Sequence, residues 1–287
     1  MNTTESLIAR AESLLERLEA LLQPKPVAVD WSAKAFRWRV KEGRGFLEAI
    51  PRPQRVRLAD IKGVDAQKTA IERNTRQFVM GRTANNVLLT GAPGTGKSSL
   101  IKAMLDKFVA KGLRLVEVNK EHLAELPDIV EHFVGRPERF ILFCDDLSFD
   151  AGEPGYKALK AALDGSVAAP PENVLIYATS NRRHLMPEYM SENEGYRHVG
   201  EEVHPAEAVE EKVSLSERFG LWLSFYPFDQ DAYLDIAFAW LEALGVKERS
   251  DAVRQAALLW ALSRGSRSGR SAMQFARDWA GRVKAKG

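Results

Sequence analysis

Apolar and polar positions recur along this chain with two periods. Residues from about 4 to 23 place Leu7, Ala11, Leu14, Leu18 and Leu21 three or four apart, widened by Ile8, Leu15 and Leu22. Glu12, Glu16, Arg17 and Glu19 occupy the other face. That spacing predicts an amphipathic helix ending before Pro24-Lys25-Pro26, its stripe packed on the protein's own body or on a neighbouring copy. From Leu58 the periods alternate. A helix is expected over 68–80, a strand over 87–90, a second strand over 113–118, and a helix over 121–134 interrupted near Pro127. Strands follow over 140–144, 174–179 and 221–225. Strands alternating with helices predict a parallel sheet covered on both faces, with ligands bound at the carboxyl ends of its strands. After Pro227 the pattern is wholly helical over 229–244, 249–264 and 271–284, closed by Gly245 and Gly265 in the first two cases.

The strand over 87–90 runs into Gly91-Ala92-Pro93-Gly94-Thr95-Gly96-Lys97-Ser98, which fits G-x-x-x-x-G-K-[ST] at every fixed position and opens a helix. Its glycines let backbone N–H groups turn toward a polyphosphate, and the helix N-terminus adds partial positive charge. Lys97 reaches β- and γ-phosphates in such a loop, and the Ser98 hydroxyl ligates Mg²⁺. The apolar strand Phe140-Ile141-Leu142-Phe143-Cys144 ends in two carboxylates. Asp145 is suited to hold Mg²⁺ directly or through water, and Asp146 to orient or deprotonate an attacking water. The strand over 174–179 leads to Asn181, whose amide suits a water and a γ-phosphate, or simply closes a turn. Arg218 before the last strand is a candidate for stabilising charge on a transferring phosphoryl group, or a surface salt-bridge residue. Arg270, or Arg267, at the start of the last helix is unfavourable for the helix dipole unless an anion lies near.

In this order the motifs resemble the AAA+ ATPases, over roughly 58–284. The resemblance implies Walker A at 91–98, Walker B at 140–146, sensor 1 at Asn181, an arginine finger at Arg218 and sensor 2 at Arg270. It makes Asp146, Asn181, Arg218 and Arg270 the catalytic set. Gly91 through Ser99, with Ile61, Gly63 and Val64 near the adenine, become the ATP-contacting set; Ser98 and Asp145 become the Mg²⁺ ligands. The run Ser214-Leu215-Ser216-Glu217-Arg218-Phe219 ahead of a helical lid is the more diagnostic part. Asp145-Asp146-Leu147-Ser148-Phe149 and Ala178-Thr179-Ser180-Asn181-Arg182-Arg183-His184-Leu185 resemble, more narrowly, the bacterial stand-alone AAA+ family called domain of unknown function 815. Many AAA+ proteins have glutamate where this chain has Asp146, one methylene shorter; helicase loaders and the replication initiator also carry two aspartates.

The implied fold is α/β: a P-loop NTPase of three α/β/α layers with a parallel five-stranded sheet, a C-terminal helical lid and a helical N-terminal extension. The expected divisions are 1–57 (helix and basic arm), 58–226 (nucleotide-binding domain, with an acidic insertion at about 187–211) and 227–287 (lid). The implied activity is ATP hydrolysis that remodels or moves a macromolecular client, within a homo-oligomeric ring, a hexamer by family expectation. The alternative is a nucleotide-switched loader or adaptor on nucleic acid with slow turnover; a small-molecule kinase is a third reading.

Charge and composition narrow this little. A net charge of +2 over 287 residues names no partner. The single cysteine, Cys144, lies in an apolar strand and reads as a buried thiol. The acidic N-terminus and the lack of a ~20-residue apolar run predict neither a secretory signal nor a membrane span, so the cytoplasm is the expected compartment. Two local asymmetries stand out. Residues 31–57 interleave cations with Trp31, Phe36, Trp38 and Phe46, opposed within that stretch only by Glu42 and Glu48. That mixture suits nucleic acid, or an arm whose rings dock into a core while its cations stay wet. Residues 187–211 hold eight glutamates against Arg197 alone, a composition expected of a mobile surface loop or a contact for a neighbour's basic arm. His184, His198 and His204 are too irregularly spaced for a metal site.

Overall fold

The computed structural model describes residues 8, 10–15, 28–149, 153–164, 171–182, 185, 197–199, 202–204 and 215–284. The chain divides into two compact units, 1–30 and 31–287. In the first, residues 10–15 are helical, and Ile8, Leu14 and Leu15 are each more than half exposed. The rest of the helix expected over 4–23 lies outside the described residues.

In the second unit the strands are β1 (Ala35–Lys41), β2 (Arg44–Ala49), β3 (Val87–Gly91), β4 (Leu113–Glu117), β5 (Arg139–Cys144), β6 (Val174–Ser180), β7 (Arg197–Val199), β8 (Glu202–His204) and β9 (Leu221–Phe225). The main sheet has seven strands in the order β2-β1-β4-β5-β6-β3-β9. All its pairings are parallel except β1 with β2. The expected five-stranded sheet is therefore corrected to seven. The two additional strands are a hairpin from the basic segment, set beside β4 and turned by Glu42 and Gly43 at φ 53° and 73°, a left-handed pair suited to a two-residue turn.

Successive residues of β5, from Phe140 to Cys144, are all buried. Neighbours on a strand face opposite sides, so helices must cover both faces of the sheet. One layer contains α1 (Asp65–Val79) and α2 (Lys97–Phe108), whose Ile71, Phe78, Leu100 and Met104 join Leu89, Ile141, Phe143 and Tyr177 in one apolar cluster. The other layer includes α3 (Leu126–Glu131) and α4 (Pro154–Asp164). Here Phe133 stacks on Phe140 with ring centroids 4.2 Å apart. The helix expected over 121–134 is split into a 3₁₀ stretch, Lys120–Glu125, and α3, because Pro127 takes a first-turn position where its missing N–H costs nothing. Buried Tyr177 ties the first layer to the sheet: its hydroxyl pairs with Thr75 Oγ1 at 2.9 Å and accepts from Asn74 Nδ2 at 3.0 Å.

The hairpin is docked by its rings. Phe36 and Trp38 are buried, Trp38 Nε1 donates to Glu125 Oε2 at 2.6 Å, and Trp31 packs between Phe36, Phe133 and Phe140 under the Arg136 guanidinium. C-terminal to β9 come α5 (Gln230–Ala243), α6 (Asp251–Ser263) and α7 (Gly269–Lys284). Asp229 caps α5 by accepting from Ala232 N at 2.8 Å, and the side chain of Ser250 caps α6. Of the acidic insertion, β7 and β8 are described and pair antiparallel; the remainder lies outside the described residues. No helix among the described residues is long and apolar enough to cross a membrane.

Trp38→Ala removes a filled ring position and leaves Glu125 Oε2 without the indole donor, Oε1 keeping His122. A loss of about 3–5 kcal/mol in chemical denaturation is the expected outcome.

Candidate functional site

The parallel strands β3, β5 and β6 end on the same edge of the sheet, and a cleft of about 470 Å³ opens there. Residues 93–99 form its floor. Gly96, at φ 99°, caps α2 in a backbone conformation that glycine adopts without strain. Gly91 is required by crowding: at φ 117° a Cβ there would lie 1.9 Å from the carbonyl oxygen of Phe225, whose strand β9 pairs alongside.

Lys97 is the central cation. Its Nζ donates to the carbonyls of Gly91 at 2.7 Å and Ala92 at 2.8 Å and to Asn181 Oδ1 at 3.0 Å. Burial pushes its pKa down to about 8, against the opposing pull of Asp146 and Asp145; Arg270 adds a smaller downward push. Ser98 Oγ donates to Asp145 Oδ1 at 2.7 Å. That same oxygen accepts from Thr179 Oγ1 at 2.6 Å, and Thr179 Oγ1 accepts in turn from Asp146 N at 2.9 Å. Asp146 is held at φ 54°, a left-handed conformation uncommon for a non-glycine residue, and its Oδ1 accepts from Asn181 Nδ2 at 2.6 Å. Lys97, Ser98, Asp145, Asp146 and Asn181 are thus drawn together by hydrogen bonds. The Ser98 hydroxyl beside an Asp145 carboxylate is the oxygen donor set a hard divalent cation takes alongside nucleotide phosphates. Among the described residues no group of three or more His, Cys, Asp or Glu side chains could hold a metal ion by itself.

The start of α7 forms part of the cleft's lining. Gly269 N donates to the Gly94 carbonyl at 2.8 Å, and a Cβ on Gly94 would lie 2.9 Å from Ser268. Arg270 lines the cleft, whereas Arg267 lines a separate hollow on the lid. Asp60, Ile61 and Lys62 also line the cleft; Gly63 instead packs against the Phe228 ring and Val64 is buried. Arg218 lies elsewhere. It is ion-paired with Asp164 at the end of α4 and lines a second cavity of about 480 Å³ at the amino ends of β5 and β6.

Sequence reasoning missed Thr179 and, from the segment after β9, Phe228, Ile236, Trp240 and Met273, which also line the cleft. Thr179 lies two residues before Asn181 on the strand leading to it, so strand alternation sets it to the same face; that was a usable signal. The lid residues reach the cleft only through tertiary packing.

A family model described as a protein of unknown function, DUF815, matches residues 31–283. No curated protein matches. Among solved structures, the RuvB Holliday junction branch migration motor of Thermotoga maritima is similar: 18% identical, TM-score 0.52, covering 80% of this chain and 67% of that one. The Aeropyrum pernix ORC1 protein in complex with DNA is 18% identical with TM-score 0.53, covering 79% of this chain and 61% of that one. At that identity the likeness establishes the fold.

Two predictions follow from the hydrogen bonds around Lys97 and Thr179. A polyphosphate recharges a lysine whose pKa has fallen to about 8. ATP binding at a pH above that value should therefore take up a proton, detected by calorimetry in buffers of different ionisation enthalpy, and Lys97→Arg should abolish the uptake. Thr179→Val should weaken Mn²⁺ binding in the presence of ATP by about 10–100-fold, with Thr179→Ser restoring it.

Proposed function

The chain belongs to the DUF815 family and has the AAA+ ATPase fold, and from that premise we propose that it hydrolyses ATP with Mg²⁺ to move or remodel a macromolecular client. The observation that carries this reading is the convergence of Lys97, Ser98, Asp145, Asp146 and Asn181 on one cleft. Ser98 and Asp145 would hold Mg²⁺, which supplies charge neutralisation between the β- and γ-phosphates. In the geometry described, Lys97 is occupied by two loop carbonyls and by Asn181. Phosphate oxygens compete for that ammonium. Its transfer to them frees the Asn181 carbonyl oxygen to accept from the attacking water. Asp146 takes the water's proton as it attacks the γ-phosphorus in line; the bond from phosphorus to the bridging oxygen breaks, leaving ADP and inorganic phosphate. The left-handed backbone at Asp146 and its bond to Asn181 support this role for the shorter acid. Arg270 adds positive charge from the lid side.

Arg218 supports assembly. It precedes β9, whose five residues at about 3.3 Å each put it about 16 Å from the strand ends that face the cleft. That distance supports reading it as a residue that serves the nucleotide of a neighbouring subunit, in a head-to-tail contact that closes as a ring, a hexamer on the family pattern. The similar RuvB is a branch migration motor and the similar ORC1 was solved with DNA, which supports a macromolecular client here too.

Purified protein should release inorganic phosphate from ATP. Asp146→Asn should keep ATP affinity and lose turnover. Arg218→Ala should keep affinity and lose turnover on the order of a thousandfold, and mixing the two variants should recover part of it. No recovery at any ratio would sink the shared site, and undiminished hydrolysis by Asp146→Asn would sink the role of that acid.

A further inference from the structure

The basic segment plays no part in the proposed reaction, yet its charge is concentrated. Residues 31–57 hold eight Lys and Arg against Glu42 and Glu48, a net +6 in a chain whose total is +2, so the remaining residues sum to −4. The hairpin sorts these residues by face. Phe36 opposite Ala49 and Trp38 opposite Leu47 form the docked side. Arg37 opposite Glu48, Arg39 opposite Phe46 and Lys41 opposite Arg44 form the other side. The docking and nucleic-acid readings of this segment thus belong to two faces of one hairpin.

We propose that this second face binds single-stranded nucleic acid. Cations two residues apart on a strand recur about every 6.8 Å, making Arg37, Arg39 and Lys41 a ladder along β1 for a backbone of phosphates. Arg37 is partly committed to Glu117 at 2.7 Å. The Arg39–Glu48 pair, at 3.2 Å with side chains 46% and 50% exposed, is the kind of surface pair that adds little stability and yields readily to a phosphate. Lys41 and Arg44 are exposed at the hairpin's end. Phe46, half-buried directly across from Arg39, puts a ring among the cations, and an unpaired base stacks on such a ring while a duplex keeps its bases to itself. That ring favours nucleic acid over an acidic polypeptide such as the chain's own residues 187–211, which would satisfy the cations alone.

The test is anisotropy of a labelled oligothymidylate with the full chain, without nucleotide so that failure of hydrolysis does not interfere. Binding should weaken as salt rises. The double variant Lys41→Gln with Arg44→Gln should lower the slope of log affinity against log salt by about 1.4, from about 0.7 per phosphate contact. Phe46→Ala should weaken binding about tenfold with that slope unchanged. Thermal midpoint and ATP affinity should remain at wild-type values in both variants. Equal binding of a duplex overturns the single-strand assignment. Loss with the charge variants but none with Phe46→Ala, together with full competition by polyglutamate, assigns the face to an acidic polypeptide instead. No binding at 50 mM salt overturns the proposal outright.

Discussion

Lys97 and Ser98 are covalent neighbours, and a circuit of hydrogen bonds starts from one and returns to the other. It runs from Ser98 to Asp145, through the Thr179 hydroxyl to the Asp146 backbone, from the Asp146 carboxylate to Asn181, and from Asn181 back to Lys97. The ends of β3, β5 and β6 are closed into one unit by it. Each link is charge-assisted or involves the buried Thr179 hydroxyl, which makes it stronger than a bond between two neutral groups. The rest of the fold holds the three strand ends at the separation this circuit needs. Parallel pairing matches Leu88 with Ala178 and Cys144 with Ala178, so β3 and β5 meet β6 at the same residue. Tyr177, next to that residue, is locked by Asn74 and Thr75.

Much of this was legible in the sequence because its signals are short-range. The glycine loop, the apolar strand closing on two aspartates and the helical lid each announce themselves within about a dozen residues. The β1–β2 hairpin was not legible as a pair of strands. Its period-two alternation of Phe36, Trp38 and Val40 against Arg37, Arg39 and Lys41 is present, but the density of cations reads first as a charged arm. Strand count failed for that reason; α4 was passed over as well, although Pro154 opens it and Gly165 follows it in the sequence. Thr179 was passed over since a threonine in a strand is ordinary; its role depends on which carboxylates end the next strand. Ile61 lines the cleft, while Gly63 and Val64 do not: Gly63 lies against Phe228 and Val64 is buried.

The sheet divides its labour by direction. Its carboxyl edge carries the cleft, and its amino edge carries Arg218, held by Asp164. On the proposed reading one subunit supplies acids and lysine while the next supplies the guanidinium, so polarity within the sheet becomes polarity within the assembly. The start of α7 meets the glycine loop directly, through the hydrogen bond from the Gly269 amide to the Gly94 carbonyl.

The hairpin has one further consequence, for how the protein tolerates shortening. β4 carries Leu113, Leu115 and Val116, all buried, and β1 occupies its outer edge. The rim left to solvent is β2, only six residues long and bearing Arg44 and Glu48, a poor template for recruiting another strand. Cutting away the N-terminal segment as a dispensable tail would bare a regularly spaced row of unpaired amides and carbonyls on a strand with apolar side chains. A truncated chain of that kind would be prone to aggregate through strand-to-strand stacking even with every residue of its cleft intact.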